Sequence, residues 1–137
     1  MKLQFKTSSI RKQWETYKGR PQILADIVDD FLAFAEREFE WEPVMTCYLR
    51  SSDEDLALKG SGVHVGGRAV DIRTRDVPDN EVSAAVEYIN SRYQYDPERP
   101  SKPVAYAKPH GNMRHLHLQA HPNTILKAPF NGIRESD

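Results

Sequence analysis

The chain has 137 residues, 28% of them charged and 39% hydrophobic, with a formal net charge of −1. That length fits one domain able to bury roughly two-thirds of the surface its unfolded form exposes, and the near-balanced charge excludes the basic footprint of a nucleic-acid-binding protein. A single cysteine, Cys47, excludes a disulfide framework within the chain; no apolar run reaches membrane-spanning length, and Met1 to Ile10 lacks the apolar core of a signal peptide, so the expectation is a soluble monomer made in the cytoplasm.

Residues 1–20 are polar and read as an N-terminal arm, partly helical at best, with Trp14 and Tyr17 as anchors. From Pro21 the pattern changes. Leu24, Ile27, Val28, Phe31, Phe34, Ala35 and Phe39 recur at helical steps, acidic residues take the other face, and Pro43 marks the stop. Val44 to Arg50 reads as a strand, with Cys47 as one of its buried residues, and Ser51 to Leu58 as a helical turn capped by Ser52. The four glycines between Lys59 and Gly67 make a loop, and Arg68 to Thr74 alternates as a second strand. Pro78 to Tyr93 is a second helix, with Asp79 as cap and Val82, Ala85, Val86 and Ile89 as its apolar stripe. Val104 to Lys108 and His115 to Ala120 read as strands joined by a turn at His110-Gly-Asn, and a tail follows Pro122. The order does not alternate, which predicts an α+β domain over 21–122: a small antiparallel sheet of about four strands backed by two main helices.

Side chains alternate across a strand. Val70 and Ile72 therefore share one face and Asp71 the other; Leu116 and Leu118 share one face and His115, His117 and Gln119 the other. If the apolar faces pack on the helices, Asp71 and the two histidines line a cleft on the opposite side. His64, just before on the glycine loop, can fold back over it. Imidazole and carboxylate are ligands that zinc prefers; three of them leave one position open for water, and four close the site.

These residues also carry a resemblance. His64-Val-Gly-Gly67-Arg-Ala69-Val-Asp71, followed by His115-Leu-His117, resembles the His-x-x-Gly-x-Ala-x-Asp and late His-x-His pattern of the zinc D-Ala-D-Ala carboxypeptidases and dipeptidases. Phage L-alanyl-D-glutamate endopeptidases and the hedgehog signalling domain share that metal fold. Tyr48-Leu-Arg50-Ser51 is similar to the family's Tyr-Arg-Ser segment, with Leu49 inserted. The resemblance implies zinc held by His64, Asp71 and His117, promoting the attack of water on an amide of a peptidoglycan stem peptide or other D-amino-acid peptide. It implies that Arg50 binds a carboxylate of that peptide, and it points to a phage lysis or virion-associated enzyme acting at the bacterial cell wall.

The chain departs from the family at two places. Gly62 stands where the family has serine, and Arg114 stands where many members carry a glutamate base. His115 then becomes the expected catalytic base or transition-state stabiliser, because it shares a face with His117 and an imidazole titrates near neutrality. His110 is the reserve candidate. The competing expectation is a non-catalytic zinc-binding structural or interaction module of the same fold. Whichever holds, the alternative for Arg50 is a surface pair with Asp53 or Glu54, His121 is expected outside the site, and Trp14 and Trp41 are expected as packing residues.

Overall fold

The computed structural model describes residues 3–58, 60–108 and 115–127. Along them run β1 (Gln4–Phe5), α1 (Ser8–Thr16), α2 (Gln22–Glu38), β2 (Val44–Cys47), α3 (Ser52–Ala57), β3 (Ala69–Arg73), α4 (Asp79–Arg92), β4 (Tyr93–Gln94), β5 (Ala105–Lys108), β6 (His115–Gln119) and β7 (Ile125–Leu126). The main sheet has the order β1-β2-β3-β6-β5, and β4 and β7 form a separate ribbon. Only the β1–β2 pairing is parallel; the other pairings are antiparallel. This is an α+β architecture, as the order of helical and strand patterns predicts.

The core lies where the alternation places it. Met45 of β2, Val70 and Ile72 of β3, and Leu116 and Leu118 of β6 are wholly buried. They join Leu24, Ile27 and Phe31 of α2 and Val82, Ala85 and Ile89 of α4 in one cluster. Each large aliphatic side chain buried in this way contributes about 1.5–3 kcal/mol. Trp14 and Trp41 belong to the same core, Trp14 edge-on to Tyr48 and Trp41 edge-on to Phe31.

The structure differs from the sequence expectation at the ends and at the caps. Part of the expected N-terminal arm is structured: β1 pairs with β2, and α1 is capped by the Thr7 hydroxyl, which accepts from the Ile10 amide. At the other end, Ile125–Leu126, in the expected tail, pairs with Tyr93–Gln94. Two-residue strands are too short to show alternation, which is why they escape a periodicity reading. The cap of α3 is Ser51, not Ser52: its hydroxyl accepts from the Glu54 amide while the Glu54 carboxylate accepts from the Ser51 amide. For α4 the cap position is Pro78, with no side-chain cap bond, so Asp79 is the first helical residue. The expected turn at His110 lies outside the described residues, as does Arg114. Among the described residues no helix is long and apolar enough to cross a membrane.

Candidate functional site

Four strands bring four chemically distinct side chains into one row. The register sets Cys47 of β2 opposite Asp71 of β3, Asp71 opposite His117 of β6, and His117 opposite Tyr106 of β5. Cys47 reaches this row through an irregularity. Met45 pairs with Ile72 and faces the core, so strict alternation would turn Cys47 toward the core as well; a bulge between the two shifts the register and sets Cys47 against Asp71 instead. Bulges re-aim side chains in this way and recur beside active sites.

Asp71 is the hub. Its Oδ2 lies 3.3 Å from His64 Nε2 and 3.9 Å from Arg50 Nη2. Its Oδ1 lies 2.9 Å from His117 Nδ1 and 3.6 Å from His115 Nε2. Asp71, His64 and His117 are all buried, so the expected open cleft is closed over these three groups. His64 folds down from the glycine loop, and the Tyr106 ring stacks 4.5 Å from that of His117. Arg50 and His115 are the more accessible members, with side chains 16% and 22% exposed.

The loop that delivers His64 is fixed at several points. Gly62 and Gly67 adopt positive φ, 92° and 71°, a region that costs glycine nothing and strains other residues. The Tyr48 hydroxyl donates to the Gly67 carbonyl at 3.0 Å, and the Arg68 amide to the Val63 carbonyl at 2.8 Å. Asp55 of α3 accepts from the Gly62 amide through Oδ2 and from Arg50 Nη1 through Oδ1, both at 3.0 Å. One carboxylate therefore ties the loop to the arginine. Arg50 pairs with Asp55 rather than with Asp53 or Glu54.

Both buried imidazoles turn a nitrogen toward Asp71 while the other nitrogen is committed elsewhere. His64 Nδ1–H donates to the Tyr48 carbonyl at 2.9 Å, because a carbonyl can only accept. Gln119 donates its amide to the Pro103 carbonyl at 2.8 Å, so its oxygen faces His117 and accepts from Nε2–H at 3.1 Å. A neutral imidazole carries one ring proton. His64 Nε2 and His117 Nδ1 therefore present lone pairs to a carboxylate, an arrangement that calls for a cation or a further proton between them. For His64 the proton is favoured: burial alone would lower its pKa, but the hydrogen bond and Coulomb attraction to Asp71, with a smaller contribution from Cys47, raise it to about 10. Asp71 is pulled well below the usual carboxylate range: burial pushes it up, and the surrounding imidazoles of His117, His64 and His115 more than offset that push.

The donors suit a zinc-type ion. Two ligands about 2.0–2.1 Å from a tetrahedral ion stand about 3.3 Å apart, and the His64 Nε2 to Asp71 Oδ2 separation is 3.3 Å. Carbonyl and amide partners on the outer nitrogens are what orient ligating histidines in metal sites. Among the described residues, the group of ligand atoms lying within 4.8 Å of one another is Cys47, His64 and Asp71. His117 meets Asp71 through the other carboxylate oxygen and is not part of that compact group.

The structure thus brings five of the residues singled out from the sequence together: His64, His115, His117 and Arg50 surround the Asp71 carboxylate, while His110, the reserve candidate, lies outside the described residues. His121 lies apart, against Asp96 and Tyr95. Cys47 was expected as a buried strand residue; it is half-buried, with Sγ 3.6 Å from His64 Nδ1 and 3.7 Å from Arg50 Nη2. Its approach to His64 spans residues 17 apart and depends on the bulge, so no short-range sequence signal marks it. Compared with protein-family models, with curated proteins and with solved structures, the chain matches none.

Proposed function

We propose that the chain is a zinc-dependent peptidase that hydrolyses amide bonds in D-amino-acid-containing stem peptides of bacterial peptidoglycan, in a phage lysis or virion-associated setting. The observation that carries this reading is the pair of imidazole lone pairs, from His64 and His117, aimed at the two oxygens of Asp71. His64, Asp71 and His117 would hold the ion, with the Tyr48 carbonyl and the Gln119 amide setting their tautomers. A zinc ion bound there supplies Lewis acidity toward a carbonyl and brings the pKa of water toward neutrality. The remaining work falls to the chain's own groups. His115, whose Nε2 lies 3.6 Å from Asp71 Oδ1, would take a proton from water and return it to the leaving amine. Arg50 stands at the edge with one arm held by Asp55, and its planar fork matches the carboxylate of a stem peptide.

A second reading, a non-catalytic zinc module of the same fold, is favoured by two observations. Cys47 belongs to the compact donor group, and a fourth protein ligand would close the ion to water. No Glu or Asp occurs between Pro100 and Asn131 to serve as base. One experiment separates the readings. Purified protein is analysed for metal, then incubated with cell-wall sacculi, with and without chelator, while new amino and carboxyl termini are counted. Cleavage that is abolished by chelator and by His64→Ala or His117→Ala, in variants that keep the native circular dichroism, supports the peptidase. Stoichiometric zinc without cleavage supports the module, and no bound metal removes both.

A further inference from the structure

We propose that Cys47 is itself a metal ligand, so that the ion is held by a sulfur-containing set of Cys47, His64 and Asp71 rather than by imidazole and carboxylate alone. This inference rests on the metal-binding half of the proposed function and not on hydrolysis.

Three observations carry it. The first is proximity: one atom from each of Cys47, His64 and Asp71 lies within 4.8 Å of the other two. A tetrahedral ion with sulfur at about 2.3 Å and nitrogen or oxygen at about 2.0 Å spans about 3.6 Å between such ligands. Binding therefore draws the three together, a movement that rotation about the Cα–Cβ bond of Cys47 supplies. The second is the bulge in β2. Without it Cys47 would follow Met45 onto the core face; with it Cys47 stands opposite Asp71. The irregularity forfeits a ladder pairing, and what it delivers is a thiol at the candidate site. The third is the commitment of His64 Nδ1–H to the Tyr48 carbonyl, which leaves Nε2, 3.3 Å from Asp71 Oδ2, as the ligating atom; the thiol, 3.6 Å from Nδ1, has to turn toward Nε2 to share the ion.

The chemistry of the set has consequences. Thiolate, imidazole and carboxylate together favour borderline-soft ions such as zinc, cobalt and cadmium over magnesium or calcium. Binding releases the thiol proton and any proton held between His64 and Asp71 to solvent. Arg50 Nη2, 3.7 Å from Sγ, gives up that contact on binding and keeps its bond to Asp55 through Nη1. With His117 as a further ligand, the ion would have four protein donors.

The test uses the whole chain, purified under reducing conditions, stripped of metal and titrated with cobalt(II). Cys47 is the one cysteine present, so a sulfur-to-cobalt charge-transfer band in the near ultraviolet has one assignment. The expected result is that band together with the visible bands of four-coordinate cobalt, both saturating at one equivalent. In Cys47→Ser the near-ultraviolet band vanishes while visible bands remain, and zinc binds at least about tenfold more weakly in competition with a chelating dye. In His64→Ala the charge-transfer band is lost as well. Visible bands without the near-ultraviolet band in the unsubstituted protein overturn the proposal and leave the His64, Asp71 and His117 site standing. A charge-transfer band that survives in His64→Ala also overturns it, because the thiol is then binding cobalt elsewhere. Failure to bind cobalt or zinc at all overturns both this inference and the metal-dependent function.

Discussion

The buried His64–Asp71 pair should make the metal-free protein lose stability as pH rises, and zinc should reverse that trend. The imidazole is held up to about 10 from an ordinary 6.5. A group whose pKa is raised on folding contributes its full stabilisation below the unfolded pKa and loses it as pH climbs through the folded pKa. The contribution is therefore complete below about pH 6.5 and gone above about pH 10. Linkage sets its ceiling at about 5 kcal/mol, of which at most about 3 kcal/mol is lost between about pH 6 and about pH 9. The depression of Asp71 already includes this attraction, alongside the influence of His117 and His115, and is not added. The charged and titratable groups facing His64 are Asp71 of β3, Cys47 of β2, Arg50 through its contacts with both, and the edge of the His117 ring on β6. Other side chains also titrate at high pH, so the readout is the difference from His64→Gln, which carries no proton to lose. Urea unfolding in the presence of chelator should show the unsubstituted chain losing about 2–3 kcal/mol more than His64→Gln over that interval. With excess zinc the sign should invert, because the ion replaces the proton and binds more tightly as pH rises. A metal-free stability profile that is flat, or that parallels His64→Gln, would show that the pair does not form in solution.

Other consequences follow from the scaffold. Leu118→Ala, in the middle of β6 and wholly buried, should cost about 2–5 kcal/mol by urea unfolding; a loss under about 1 kcal/mol would mean the sheet does not pack as described. Gly67→Ala should cost about 1–3 kcal/mol, because its φ is positive and a Cβ would stand 2.6 Å from the Tyr17 ring. Gly66→Ala meets nothing closer than 3.5 Å and should be nearly silent, so equal effects from the two would refute the loop geometry. Ser51→Ala should cost about 1 kcal/mol through loss of the capping box while leaving zinc affinity unchanged in a dye competition assay.

Part of the site was legible because strand periodicity is local. The alternation of Ala69-Val70-Asp71-Ile72 and of His115-Leu116-His117-Leu118 assigns Asp71, His115 and His117 to polar faces before any pairing is known. The glycines around His64 announce a loop able to reverse. What alternation cannot supply is partnership. That His117 stands opposite Asp71, and Tyr106 opposite His117, depends on how three strands slide against one another. The orienting groups were equally hidden: the Tyr48 carbonyl is a backbone atom, and alternation puts Gln119 on the face of His117 without showing that its amide is held by Pro103. Asp55, inside the capped turn, carries no sequence signal of its role, yet it ties Arg50 to the glycine loop.

Residue pattern alone specifies the two long helices, the strands β3 and β6 and the face on which each candidate ligand stands, because hydrophobic burial at a fixed period leaves one economical packing. Which of those ligands meet, and in what order around the carboxylate, follows from the pairing of distant strands. A one-residue shift of β2 against β3 costs little in local conformation, yet it alone carries Cys47 from the core side of the sheet to the side where Asp71 is ringed by imidazoles. Local propensity is blind to that shift, because it is fixed by long-range pairing.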